Sequence, residues 1–260
     1  MRVIAPIDRA TRTPDLTARV TQRTRPGGFP LLSQTWSDVL FLHWRVPVAA
    51  LRPLVPPALG IDTHQGGAWV GLTAFHVEDS HPRFAPPLPW ISDFFEVNVR
   101  TYVHFDGVPG VWFFSLDADS RLTVDAARAF FHLPYHFARI VHAVEGERSH
   151  FQSSRSGSGR SAELSATWSM KREVFDAVPG SLEFFWAERY CLFSADENTL
   201  YRARVFHEPW PIREVSFANY DTSLLDVDGL RHIGPRDRAH ALAAGPVHAE
   251  IWPLEPLVTF

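Results

Sequence analysis

Glu96, Asn98 and Arg100 stand two residues apart in FFEVNVRTYV (94–103), so an extended chain carries a carboxylate, an amide and a guanidinium on one face. The other face, Phe95, Val97, Val99, Thr101 and Val103, is almost wholly apolar. A carboxylate can move a proton, and a guanidinium can hold an anion through paired hydrogen bonds. Such a strip is either the solvated side of an antiparallel sheet or the lining of a closed, barrel-like cavity. In the second case Glu96 and Arg100 form a buried charge pair, and the aromatic residues flanking the segment favour that reading.

The other chemical motifs fail on context. His132 and His136 have the spacing of a helical metal pair, but Pro134 breaks any helix between them and no HExxH occurs, so no metal is expected. GSGRSA (157–162) has the shape of a dinucleotide-binding glycine run, yet it joins two extended segments instead of opening a helix. There is no GxSxG elbow and no phosphate-binding P-loop, and no cofactor is expected. Cys191, the only cysteine, allows no internal disulfide and reads as a small buried apolar residue. Lys171, the only lysine, shares a strand face with Glu163, Ser165, Thr167 and Ser169 and reads as solvated.

The elements that must position these groups are mostly strands. Residues 38–46, 68–77, 94–103, 110–120, 135–144, 148–154, 161–172, 189–195 and 199–207 have strand character, with a hairpin turn over 106–110 and a glycine-rich tip, RSGSG, between the sixth and seventh. Helices are short: a turn at 49–51, a segment capped by Thr123 and ended by Pro134, and another capped by Ser181. With no βαβ rhythm, the fold class is β-rich α+β, a single antiparallel β-barrel-like domain with a few short helices. Residues 1–30, rich in Thr, Arg, Pro and Gly, form a partly ordered N-terminal arm, and 31–260 form the domain.

Composition narrows the partners. With 45% hydrophobic residues, 20 Phe and 9 Trp, the chain can fill a large core. A net charge of −4 offers no positive field for phosphates, so no nucleic acid is expected. No run approaches the roughly 18 apolar residues of a membrane span, and the N-terminus lacks a signal-peptide core, so the expectation is a cytoplasmic protein without membrane contact.

LFLHWRVPVAALRPLVPPALGIDTHQGGAWVG (40–71), FFEVNVRTYV, GVWFFSLDADS (110–120), LPYHFA (133–138), ERYCLF (188–193) and HEPWP (207–211) together resemble the YqjF-like bacterial family, over residues 33–255. That family is grouped with the acetoacetate decarboxylase-like superfamily. The resemblance implies a single antiparallel barrel-like domain, often a homo-oligomer, with a mostly apolar cavity. In the decarboxylase a Pro-Lys-Lys run supplies the lysine that forms an iminium with the keto acid. Here the corresponding residues are Pro134, Tyr135 and His136, so Schiff-base decarboxylation is not implied. Glu96 matches the decarboxylase's cavity glutamate, whereas Ser37 falls near the place of its N-terminal active-site arginine.

Two functions follow as expectations. The first is an acid–base enzyme on a small carboxylate, carrying out enolisation, hydration, dehydration or isomerisation. Its catalytic groups are Glu96, Tyr135 and His136, with Arg100, Asn98, Phe113, Ser115, Arg128 and Arg189 binding the substrate. The second is a non-catalytic barrel that binds a small molecule through Trp112, Phe113 and their neighbours. An interaction protein presenting exposed aromatic residues is a third, which a solvated Glu96 would favour.

Overall fold

The structure, a computed structural model, describes residues 12–88, 92–155, 162–231 and 239–260. After helix α1 (Leu16–Thr21), the first half runs β1 (Leu32–Val46), α2 (Val48–Leu51), β2 (Gly60–Ile61), β3 (Ala68–Pro82), β4 (Phe94–Phe105), β5 (Val108–Ala118) and α3 (Arg121–Phe131). The second half runs β6 (Tyr135–Glu145), β7 (Arg148–Arg155), β8 (Glu163–Met170), α4 (Leu182–Ala187), β9 (Cys191–Ala195), β10 (Thr199–His207), β11 (Ile212–Thr222), α5 (Leu224–Val227), β12 (His240–Ala244), β13 (Val247–Ile251) and β14 (Glu255–Thr259). The glycine-rich tip at 156–161 lies outside the described residues.

β1 and β5 each divide an edge between partners, and that division shapes the fold. β1 gives Leu32–Trp36 to β13 and Val39–His43 to β12. β5 pairs in parallel with β9 at Val111 and Trp112, then in parallel with β6 at 116–118. Two hydrogen-bonded rings therefore share β1, β3, β4 and β5; one closes through β9, β10 and β13, the other through β6, β7, β8, β11 and β12. Apart from β5's two short parallel pairings, the long ladders are antiparallel, as the sequence predicts.

The shared sheet is covered on both sides. Val39 and Phe41 of β1, Trp69 and Phe75 of β3, and Phe94 and Tyr102 of β4 enter one core cluster. Leu40 and Leu42, Val70 and Leu72, and Val97 and Val99 enter a second, with Phe151 and Trp168. Period-two alternation therefore serves two cores at once, which explains why β3 reads as a nearly continuous apolar run. Truncating a side chain such as Leu72, fully buried here, costs about 2–5 kcal/mol.

Local chemistry sets the ends of the elements. Asp106 and Gly107 both have positive φ, 48° and 78°, the requirement of the tight turn joining β4 to β5. At Gly110 a Cβ would lie 2.6 Å from the Cys191 carbonyl oxygen, so only glycine lets β5 approach β9 so closely. Helix α3 is longer than the sequence suggests. Its cap is Ser120, whose Oγ accepts hydrogen bonds from the backbone and hydroxyl of Thr123 at 3.3 and 2.9 Å; Thr123 itself sits within the first turn. His132 ends α3 in the left-handed conformation, with Pro134 just beyond.

The described part of the N-terminal arm is docked. Asp15 caps α1, Arg19 reaches the buried Asp62, and Arg23 reaches the buried Glu188. Strands β11 to β14 were not expected; they are short or interrupted, as by Pro256, and lack a clean alternation. Among the described residues, no helix is long and apolar enough to cross a membrane.

Candidate functional site

A cavity of about 460 Å³ is lined by the ring of β1, β3, β4, β5, β9, β10 and β13, with α3 and Tyr135 of β6 completing its wall. Most of the lining is apolar, including Phe41, Val111, Phe113, Leu116, Leu192 and Val205. Because Val97 and Val99 fill the second core, the polar face of β4 turns into this space. Glu96 and Asn98 are both buried there.

Glu96 is held from two sides. Tyr135 donates its hydroxyl to Oε2 at 2.7 Å, and the Asn98 amide donates from Nδ2 to Oε1 at 3.1 Å. Burial nevertheless dominates and pushes the carboxyl from 4.5 up to about 7, with the two hydrogen bonds and the charge of Arg100 pulling the other way. Glu96 can thus gain or lose a proton near neutrality. Tyr135 is pushed well above 10 by burial and by this carboxylate, so it stays a donor.

Arg100 faces the same cavity but does not pair with Glu96. Among the described residues it has no ion-pair partner within 4 Å, its buried Nε lacks a hydrogen bond, and its guanidinium lies 5.6 Å from the Phe41 ring and 5.9 Å from the Tyr102 ring. The charge pair expected from spacing is replaced by an acid engaged with neutral donors and a cation that lies beside Tyr102 without a carboxylate partner among the described residues.

Arg189 approaches Tyr102 as well, 4.9 Å from the ring. It donates from Nη1 to Asp62 at 2.7 Å and from Nε to the Phe185 carbonyl at 2.6 Å, while its buried Nη2 has no partner. Asp62 also receives both nitrogens of Arg19 at 2.6 and 2.7 Å. Burial opposes the charge on Asp62, but Arg189 and Arg19 outweigh it and hold the carboxyl below its usual value. Two guanidinium groups thus share one carboxylate, leaving this end of the cavity with surplus positive charge.

The other predicted residues separate. Phe113 lines the cavity, but Ser115 does not: a bulge pairs Arg100 with Phe113 and Val99 with Ser115, so Ser115 falls on the opposite face and donates to Asp228 at 2.6 Å. Uninterrupted alternation would have kept Phe113 and Ser115 together. His136 follows Tyr135 in β6 and therefore points away from the cavity. Burial, with Arg155 and Arg128 nearby, lowers it to about 4 and keeps it neutral. Arg128 is outside too, its Nε donating to the Tyr135 carbonyl at 2.7 Å and tying α3 to β6.

Thr73 and His207 are among the lining residues that the sequence did not point to. Thr73 sits beside Asn98 in the ladder; its hydroxyl and the Asn98 Oδ1 are buried without partners. A lone hydroxyl inside the apolar run of β3 was the available signal. His207, from HEPWP, is buried against Tyr190 at 4.6 Å between ring centroids, and burial holds it neutral.

Cys191 also lines the cavity, but burial pushes its thiol up to about 12, which keeps it protonated. Lys171 is exposed and paired with Glu214, outside the lining. Among the described residues, no group of three or more His, Cys, Asp or Glu side chains is placed to hold a metal.

Comparison with known proteins matches this geometry at the level of fold and family. The model of the DUF2071 family, described as an uncharacterized conserved protein, matches residues 33–248. The uncharacterized protein YqjF of Bacillus subtilis (strain 168) is 38% identical over 205 residues, covering 79% of this chain and 84% of that protein. Among solved structures, the enduracididine biosynthesis enzyme MppR complexed with pyruvate aligns with a TM-score of 0.61 at 14% identity, covering 88% of this chain and 91% of that one. Acetoacetate decarboxylase from Legionella pneumophila aligns at 0.63 and 12% identity, covering 90% and 89%. On the family match and the YqjF relative, this chain belongs to the DUF2071 family, built on an acetoacetate decarboxylase-like fold.

Proposed function

We propose that the protein is an enzyme performing acid–base chemistry on a small carboxylate, with Glu96 giving and taking the proton. The observation carrying this reading is the buried Glu96 carboxyl, raised to about 7, in one cavity with Arg100, which has no ion-pair partner among the described residues. A general acid or base works best when its pKa lies near the operating pH. Arg100 is half-buried, has no carboxylate partner among the described residues and keeps a buried Nε without a hydrogen bond, so an anionic ligand would give it the counter-charge it lacks.

Arg100 and the free Nη2 of Arg189 hold the substrate carboxylate. Tyr135 and Asn98 keep Glu96 in place, and Thr73 with the Asn98 Oδ1 offers hydrogen bonds to a hydroxyl or carbonyl group of the substrate. For an oxo acid, Glu96 removes a proton from the carbon beside the carbonyl, and the enolate charge that develops faces Arg100. Protonation of the enolate oxygen completes enolisation, and return of the proton to another carbon completes an isomerisation. No lysine stands at Tyr135 or His136, so no iminium step is included. That a neighbour of the same fold is complexed with pyruvate supports an oxo-acid ligand.

The test combines thermal shift with proton exchange. Pyruvate and longer oxo or hydroxy acids should raise the melting temperature of the wild type but not of Arg100→Ala; at 100 times the dissociation constant the gain is about 2.7 kcal/mol. In D₂O, NMR should show deuterium entering the carbon beside the carbonyl, and Glu96→Gln should slow this at least about 100-fold. Binding without exchange or other turnover would instead identify a non-catalytic small-molecule barrel. If no acid shifts the wild type, the reading fails.

A further inference from the structure

The cavity has two chemically different ends. Buried at one are Glu96, Asn98, Thr73 and Arg189, with Arg100 beside them. At the other, Leu31, Leu122 and Phe130 line the same space while remaining 40%, 57% and 71% exposed. Between them the walls are hydrocarbon, supplied by Val39, Phe41, Val111, Phe113 and Leu116.

Helix α3 makes the open end unusual. A surface helix ordinarily turns one apolar stripe to the core and polar side chains to water. Here Val124 and Phe131 are the buried side chains, yet Leu122, Ala126 and Phe130, spaced four apart, form a second apolar stripe along the cavity mouth. Leu122 and Phe130 have apolar surface to gain by being covered, and the stripe continues the cavity wall.

We infer that the acid taken by this cavity is amphiphilic: a carboxylate whose unbranched apolar tail runs from Arg100 and Arg189 past Phe113 and out beneath Leu122 and Phe130. The inference rests on the reading of the two arginines as the carboxylate site. A volume of about 460 Å³ falls within the range that encloses drug-sized ligands, well beyond the needs of a three-carbon acid. A short acid would leave the hydrocarbon walls and the mouth uncovered.

Isothermal titration with butanoate, octanoate and octanol separates the two readings. Each buried methylene strengthens binding about fourfold, so octanoate should bind on the order of 100-fold more tightly than butanoate. Leu122→Asp/Phe130→Asp, both at exposed positions, should bring octanoate close to butanoate without altering butanoate binding or the melting temperature. Arg100→Ala should weaken both acids. Octanoate binding no tighter than butanoate overturns the tail site and leaves the carboxylate site standing. Octanol equalling octanoate overturns the arginine reading, and failure of both acids to bind at millimolar concentration overturns both.

Discussion

The Tyr135 hydroxyl donates a 2.7 Å hydrogen bond to Oε2 of Glu96, joining β6 to β4 across the cavity wall. Replacing Tyr135 by Phe removes a donor that favours the charged carboxylate. The Glu96 carboxyl should therefore titrate above its present value of about 7, and the protein should lose about 1–2 kcal/mol of stability. Infrared titration of the carboxyl band, with Glu96→Gln to identify it, measures the shift. An unchanged titration would show that Tyr135 does not hold the acid.

Glu96 and Asp117 give stability a particular pH dependence. Burial raises Glu96 from 4.5 to about 7 and Asp117 from 3.8 to about 6. For both, the folded state binds the proton more tightly than the unfolded chain. Their contribution is complete below about pH 4 and is lost as pH rises to about 7, up to about 3 kcal/mol for Glu96. Glu96→Gln should flatten the part of this decline between pH 4.5 and 7, and at pH 8 should be no less stable than the wild type. Urea unfolding at pH 4.5, 6 and 8 checks both statements.

Arg155 holds Asp117 through Nε at 2.9 Å and Nη2 at 2.8 Å, and Asp117 is fully buried. Arg155→Ala leaves that carboxylate without its counter-charge, which should cost about 3–5 kcal/mol at neutral pH. Without Arg155 the Asp117 carboxyl rises above its value of about 6, so the loss should shrink as pH falls towards 6 and protonation neutralises Asp117 in the variant. Paired denaturation curves at pH 5 and 7.5 test this, and an equal loss at both would refute it.

Arg19 reaches Asp62 with both terminal nitrogens, anchoring α1 to the buried Arg189 network. Arg19→Ala should cost about 1–3 kcal/mol, because Arg189 still partners the carboxylate. It should also speed proteolysis within residues 12–24, where the arm's contacts would be weakened. Limited trypsin digestion followed by mass spectrometry reads the cleavage sites directly.

Much of the fold is legible in the sequence, because period-two alternation, the Asp106-Gly107 turn, the Ser181 cap and several ordered motifs are local properties of the chain. The sequence by itself placed Glu96, Asn98 and Arg100 on one face of one strand. What it left open was what covered that face, since alternation says which side chains share a side and nothing of what packs against it. Only the tertiary structure placed the second core behind Val97 and Val99 and so turned the polar face inward. The bulge opposite Arg100 removed Ser115 from the cavity, and the first residue of β6 admitted Tyr135 while excluding His136. Asp62 met Arg189 across 127 residues of chain, and the stripe of Leu122, Ala126 and Phe130 on α3 came to line the mouth. Each of these depends on register and long-range pairing, which are settled by packing the whole chain at once and leave no periodic mark on any single segment.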